Sequence, residues 1–231
     1  GKNIVITITG NTNENGGPTN LGAGLWTSLK IIPAGGAWTI SGNHSTGLII
    51  LNGSDNVNID GLNSGGNALT FSNSSTNAAA KTISFLNGAS KNLVQNCSIT
   101  GASKGAATGT VFFGNSISTP NELNKINACK IGPESATELP TNAIYSQGSA
   151  LVKNQLNEIT NNHIYDFFNA ALSCNGINIV NGNTRWTITG NKIYQRSARL
   201  FTAAAVYTAI KIDENTAPQG DGFIISNNTI G

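Results

Sequence analysis

The stretch that decides the fold is Ile177-Asn178-Ile179-Val180-Asn181-Gly182-Asn183, followed shortly by Trp186-Thr187-Ile188-Thr189-Gly190-Asn191-Lys192-Ile193. Both parts alternate apolar and polar residues, which is the period-2 pattern of half-buried β-strands. Asn and Gly lie between the apolar runs, and these residues accept the left-handed backbone that a tight corner requires. The stretch therefore predicts short strands joined by sharp corners.

Variants of this unit recur along the chain at intervals of about 33 residues. The first apolar runs begin at Leu48, Ile83, Val111, Ile144, Ile177 and Ile210. The second runs close at Leu62, Ile99, Ile131, Ile164, Ile193 and Ile230. A repeat of this length, built from β-runs without helical periodicity, is typical of a solenoid. We predict an all-β fold, a right-handed parallel β-helix in which each unit forms one rung.

Asparagines occupy equivalent places in three of these units, at Asn162, Asn191 and Asn228. Strands in adjacent rungs would lie about 4.8 Å apart, so these side chains would stack in one column. Each amide could then bond to the next, forming an asparagine ladder where the backbone turns.

Two of the three cysteines, Cys97 and Cys129, fall in this column on successive rungs. They can be read as small buried thiols packed in the ladder, or as a disulfide between rungs. We favour the buried thiols, because three cysteines are too few for a disulfide scaffold.

The unbroken repeat predicts one domain over 1–231, with an irregular N-terminal start at 1–47 and about six regular rungs at 48–231. Charged residues make up 10% of the chain and the formal net charge is +2. Without a run of basic residues, we expect no nucleic-acid partner. Without a long apolar run, we expect no membrane insertion. We expect this domain to be a piece of a longer chain, with the other domains of that chain as partners.

A family resemblance rests on three stretches: Ser28-Leu29-Lys30-Ile31-Ile32-Pro33-Ala34-Gly35-Gly36, Trp38-Thr39-Ile40-Ser41-Gly42 and Asp55-Asn56-Val57-Asn58-Ile59-Asp60-Gly61-Leu62. They resemble the β-helix segments of large secreted bacterial surface proteins, within the broad pectin-lyase-like class. The resemblance implies export and an extracellular or cell-surface location. Because this class includes lyases, hydrolases, adhesins and passive stalks, the resemblance carries over no catalytic residue.

One outward column of the predicted helix has the composition of a sugar-binding groove. If the residues that begin the first runs point inward, their successors point outward. That outward column is Ile49, Ser84, Phe112, Tyr145, Asn178 and Lys211. Aromatic rings cover the apolar face of a pyranose, while amide and ammonium groups bond its hydroxyls. Phe112, Tyr145, Asn178 and Lys211 are therefore the candidate carbohydrate-binding residues. The alternative is that loops cover this face and the aromatic rings are ordinary packing.

A second outward column contains His163 together with Ser98, Lys130, Lys192 and Thr229. We expect His163 to occupy a solvated position there and not to bind a ligand.

A lyase acting on a uronate-rich polysaccharide is the enzymatic alternative. Its base, which removes the proton α to the uronate, could be Lys211 with Arg185, Arg196 or Arg199. Asp213, next to Glu214 and near Asp221, is the closest approach to a carboxylate cluster in the sequence. A calcium-assisted lyase or a hydrolase needs a denser set of acids. We therefore expect no metal site and no cofactor.

These observations favour a non-catalytic extracellular segment that serves as a stalk, passenger or adhesin. A weak carbohydrate-binding face would be its only ligand site, and the partner would be a polysaccharide. The rival hypothesis is a polysaccharide lyase or glycoside hydrolase.

Overall fold

The protein, seen in a computed structural model that describes residues 1–214 and 221–231, is a parallel β-solenoid. The described residues form strands, turns and loops and no helix. Three long sheets, here called A, B and C, each receive one strand per rung. This arrangement confirms the predicted fold class.

Sheet A contains Asn3–Ile8, Ser28–Pro33, Val57–Asp60, Leu93–Gln95, Lys125–Asn127, Glu158–Thr160, Thr187–Thr189 and Ile224–Ser226. Sheet B contains Thr12–Asn13, Ala37–Gly42, Ala68–Asn73, Ser98–Gly101, Lys130–Pro133, His163–Tyr165, Lys192–Tyr194 and Thr229–Ile230. Sheet C contains Thr19–Gly22, Ile49–Asn52, Ile83–Leu86, Val111–Phe113, Asn142–Ser146, Cys174–Ile179 and Tyr207–Ile212. A small fourth sheet pairs Asn154–Gln155 with Asn183–Thr184.

From Ile49 onward each of the three sheets gains six strands, in agreement with the six rungs predicted from the repeat. Residues 1–47 add five strands to the same sheets. The first of them, Asn3–Ile8, pairs in parallel with Ser28–Pro33 over its whole length. Its residues are largely exposed, because this strand has a neighbour on one side only.

The corner between sheets A and B is built as the sequence predicts. The residue that turns the chain has a positive φ in successive rungs, at Asn96, Ala128, Asn161, Gly190 and Asn227. The next residue begins the ladder: both the backbone N–H and the side-chain amide of Asn162 donate to Oδ1 of Asn191, at 3.0 and 2.9 Å. Asn191 donates to Asn228 in the same way, at 3.0 and 2.9 Å. The side-chain amide of Asn191 also donates to the Ile159 carbonyl at 2.8 Å.

A second ladder, which the sequence analysis missed, lies at the corner between sheets C and A. Asn92 donates to Oδ1 of Asn124 through its backbone and side-chain amides, at 3.2 and 2.9 Å. Asn124 repeats this pattern with Asn157, at 3.0 Å for both bonds. All three asparagines are buried. The regular separations of 32 and 33 residues between these asparagines could have revealed this ladder in the sequence.

Cys97 and Cys129 are both buried and both free, as we favoured. Cys129 continues the first ladder, since its backbone N–H donates to Oδ1 of Asn162 at 2.9 Å. Burial and the hydrogen bond with Cys129 raise the pKa of the Cys97 thiol well above its usual value, with that hydrogen bond as the larger cause. The Cys97 thiol is therefore held in its neutral form, and both side chains pack as small apolar groups of the core.

Three columns of aliphatic side chains meet in the interior. In sheet A, the residues in register are Ile59, Val94, Ile126, Ile159 and Ile188. In sheet C, Ile83, Val111, Ile144, Ile177 and Ile210 are in register, as predicted. In sheet B, Ile99, Ile131, Ile164, Ile193 and Ile230 are in register. Burying one such side chain contributes about 1.5–3 kcal/mol, so the stacked core supplies much of the folding free energy.

The first member of each predicted column was assigned wrongly. Ile49, and not Leu48, pairs with Ile83, and Phe71, and not Leu62, pairs with Ile99. The second error falls where residues 61–67 form an insertion between sheets A and B, whereas the first falls in the continuous apolar run 48–51, which has no alternation to fix the inward position. An insertion of this kind changes the spacing without changing the strand pattern, so counting along the chain placed Leu62 incorrectly.

We expect Asn191→Ala to destabilise the fold strongly. The change leaves the two N–H donors of Asn162 and the carbonyl of Ile159 without their partner, and each unpaired buried group costs about 1–3 kcal/mol. Thermal and urea unfolding should show a loss of at least about 2 kcal/mol. Asn20→Ala, at an exposed strand position, is the control and should unfold like the wild type. Equal stability of the two variants would contradict the ladder's role.

Candidate functional site: the outward face of sheet C

The connections of each rung differ greatly in length. Sheet A passes to sheet B through two residues in most rungs, such as Asn96 and Cys97 between Gln95 and Ser98. The long connections precede and follow sheet C, for example 102–110 and 114–124 around the strand Val111–Phe113. The outward face of sheet C is therefore flanked by loops on both sides, which is the usual setting for a binding groove on a solenoid.

The predicted column is in register from its second member onward. Ser84, Phe112, Tyr145, Asn178 and Lys211 are Cα partners on successive rungs.

The first position of the column belongs to Ile50 and not to Ile49. Ile49 pairs with Ile83 and lies in the core. The reason is the same one-residue error that misplaced Leu48.

Phe112 and Tyr145 form the centre of the column. Their rings are stacked, with centroids 5.9 Å apart and planes 3° from parallel. Phe112 is half-buried, whereas Tyr145 is only 5% exposed. Burial raises the pKa of the Tyr145 phenol above its usual value. The two rings thus form one apolar strip, of which Phe112 is the accessible end.

Polar groups flank this aromatic pair unequally. Asn178 lies one rung beyond Tyr145, and its Oδ1 has no hydrogen-bond partner among the described residues although Asn178 is only 6% exposed. An unpaired buried carbonyl is costly, and a bound water is the usual partner for such a group. Ser84, one rung before Phe112, also lacks a partner for its hydroxyl, and neither this oxygen nor Oδ1 of Asn178 is accessible to an external ligand.

Charged groups lie at both ends of the strip. Lys211 is exposed and forms an ion pair with Asp213, at 3.0 Å between Nζ and Oδ2. Lys81, which the sequence analysis missed, places its ammonium 4.7 Å from the centroid of the Phe112 ring. Burial lowers the pKa of Lys81. Lys81 lies in the loop before the strand, and no repeat pattern relates it to Phe112, so the sequence held no signal for this contact.

The residues of the lyase hypothesis do not form one cluster. Lys211 is paired with Asp213, whereas Arg196 is paired with Asp166, to which it donates through its backbone N–H and Nε. The Nε of Arg199 is buried and has no partner among the described residues.

The acids near Asp213 are also dispersed. Glu214 accepts a hydrogen bond from the backbone N–H of Asn183. Oδ2 of Asp221 lies 3.9 Å from Nη2 of Arg185. Within 1–214 and 221–231, no three His, Cys, Asp or Glu residues are grouped so that they could hold a metal ion.

Comparison with known proteins adds little to this geometry. No protein-family model and no curated protein matches the chain. Among solved structures, the chain is similar to the crystal structure of an alginate lyase from Paenibacillus sp. str. FPU-7, with 16% sequence identity and a TM-score of 0.42. The match covers 98% of this chain and 92% of that chain. At this identity and TM-score the function has to be argued from the residues of this chain. No helix in the described residues is long and apolar enough to cross a membrane.

We expect Tyr145→Phe to reduce the sensitivity of the fold to alkali. Because burial raises the pKa of Tyr145 above its unfolded value of about 10, its stabilising neutral form is complete below that pH and is lost as the pH rises through the folded pKa. The melting temperature of the wild type should therefore fall more steeply between about pH 10 and 12 than that of the variant. At pH 7 the two proteins should melt alike. Parallel curves up to pH 12 would show that the phenol is not desolvated.

Proposed function

We propose that this chain is a non-catalytic, extracellular β-helical segment that binds a polysaccharide along the outward face of sheet C. The observation that carries the proposal is the stacked Phe112–Tyr145 pair, with the exposed ammonium of Lys211 two rungs later. The pair offers apolar surface to the C–H groups of a pyranose, and the ammonium of Lys211 offers a donor to a sugar hydroxyl.

The direction of the strip supports a polymeric ligand. Phe112, Tyr145, Asn178 and Lys211 follow one another on successive rungs, about 4.8 Å apart along the solenoid axis. This spacing is comparable to the length of one sugar residue in a linear chain. A polysaccharide lying along the axis would meet the exposed end of Phe112, then Asn178, then the ammonium of Lys211.

The limited exposure of the strip supports weak binding. Tyr145 and Asn178 contribute little accessible surface, so each rung adds only a small contact area. We expect dissociation constants of about 1 mM for short oligosaccharides, which corresponds to about −4 kcal/mol. Many such contacts along a long chain, or several copies of the segment, would raise the total affinity.

The extracellular location and the role as a stalk, passenger or adhesin remain part of the proposal, as does membership of the pectin-lyase-like class. They are supported by the family resemblance within residues 28–62 and by the stacked core, in which each rung packs against its neighbours. A rigid rod of this kind suits the display of a binding face at a distance.

We expect Tyr145→Ala to weaken glycan binding. The change removes one ring of the stacked pair, and an aromatic contact is worth about 1 kcal/mol, or about fivefold in affinity. Affinity gels containing neutral polysaccharides would measure it as lost retardation. Phe201→Ala is the matched control, because Phe201 also forms a ring contact, with Phe168, and lies outside the column of sheet C. Retardation that is lost with Phe201→Ala and kept with Tyr145→Ala would overturn the proposed site, and no retardation would leave a bare stalk.

We expect the wild-type protein to release no unsaturated product from pectate, alginate or glycosaminoglycan. Lys211 and Arg196, two cations of the lyase hypothesis, each form an ion pair, and each pair uses a different carboxylate. Absorbance of the product in the ultraviolet is the measurement. Release that is abolished by Lys211→Ala would replace our proposal with the lyase alternative.

A further inference from the structure

The outward face of sheet B carries two lysines separated by a histidine. Lys130, His163 and Lys192 are Cα partners on three successive rungs. Ser98 precedes them in the same column and Thr229 follows them, so every member of the row can form hydrogen bonds. The sequence contains no run of basic residues, and the row arises only because rungs stack.

Neither lysine of this row is neutralised. Lys130 and Lys192 are exposed, and in the described part of the chain neither forms an ion pair. On sheet A, by contrast, a lysine of the outward face is paired with an acid on the next rung. There Lys125 faces Glu158 on the next rung and forms an ion pair with it at 2.7 Å. On sheet B, Lys130 and Lys192 lie two rungs apart with His163 between them, and their charges remain uncompensated.

A second row beside these cations is aromatic. Tyr165 and Tyr194 stack with centroids 5.8 Å apart, and His163 contacts the ring of Tyr194 edge-on. Gly132 makes room for this stack, because a Cβ at that position would lie 2.6 Å from the Tyr165 ring. The guanidinium of Arg196 lies 4.5 Å from the centroid of the Tyr165 ring.

The acids of this face are already occupied. Asp166, nearly buried, holds Arg196 in place. Glu134 accepts hydrogen bonds from the hydroxyls of Ser72 and Thr100, on rungs nearer the N-terminus. The lysine row is therefore open to an external anion.

We propose that this surface, defined by Lys130, His163, Lys192 and the Tyr165–Tyr194 pair, binds a linear polysaccharide that carries an anionic group, carboxylate or sulfate ester, at regular intervals. The cations do not converge on one point, as a site for a single small anion would require. Lys130 and Lys192 lie two rungs, or about 10 Å, apart along the axis, a spacing comparable to two sugar residues. The adjoining tyrosines give the sugar rings an apolar neighbour. The site lies on a different sheet from Phe112 and Tyr145, and it does not depend on the function proposed for them.

The test compares two double variants that remove the same charge. Lys130→Gln with Lys192→Gln alters the row, whereas Lys2→Gln with Lys91→Gln removes two exposed lysines elsewhere. Binding of polyuronate, sulfated dextran, uncharged dextran and single-stranded poly-dT is measured by calorimetry at low and high salt. All four changes are at exposed positions, and thermal melts confirm that both variants fold.

We expect the first double variant to lose about tenfold or more in affinity for an anionic polysaccharide at low salt, and the second to bind like the wild type. Wild-type affinity should fall with added salt. Tighter binding of polyuronate indicates a carboxylate ligand, and tighter binding of sulfated dextran indicates a sulfate ester. Equal losses in both variants would reduce the effect to overall charge and overturn the proposal. So would unchanged binding in the first variant, or tighter binding of poly-dT than of either polysaccharide. Binding of uncharged dextran, compared between the wild type and Tyr145→Ala, tests the sheet C site separately. Failure of one site is therefore distinguishable from failure of the other.

Discussion

The structure depends on corners that repeat with the same geometry in every rung. At the corners that join sheet A to sheets B and C, one residue adopts a left-handed conformation. In several rungs the next residue is an asparagine that directs its side-chain amide along the axis to the following rung. A buried asparagine in this place satisfies backbone groups that the turn removes from the sheets. It also fixes the register, since Asn191 can bond Asn162 and Asn228 only when the rungs lie directly over one another. Stacked sheets and a continuous core follow from that alignment.

Fixed register has a direct consequence for the surface. Because side chains alternate in and out, aligned rungs turn each outward position into a row along the axis. The three sheets use their rows differently. Sheet A compensates charge from rung to rung through Lys125 and Glu158, sheet B keeps Lys130 and Lys192 uncompensated, and sheet C places an aromatic pair between long loops. A core that is nearly the same in every rung thus supports three distinct surfaces, and the two with binding potential can be altered without touching the core.

Much of the fold could be predicted, and the errors have definite causes. The corner between sheets A and B was visible because Asn161, Gly190 and Asn227 are residues typical of left-handed turns. The corner between sheets C and A was missed because Leu123, Leu156 and Arg185 adopt the same conformation there. Bulky residues give no turn signal, and they adopt this conformation only because the surrounding rungs impose it.

The sequence by itself determined the parallel solenoid, the columns and therefore the membership of the Phe112–Tyr145–Asn178 row, because a regular repeat relates distant positions by simple counting. The tertiary structure alone decided how much of each row is accessible and which charges are paired. Tyr145 is nearly buried, Lys81 lies over Phe112, and Arg196 is held by Asp166. These contacts come from loops of unequal length, which do not follow the repeat. Packing between rungs positions their side chains, and the spacing of residues along the chain does not reveal this packing.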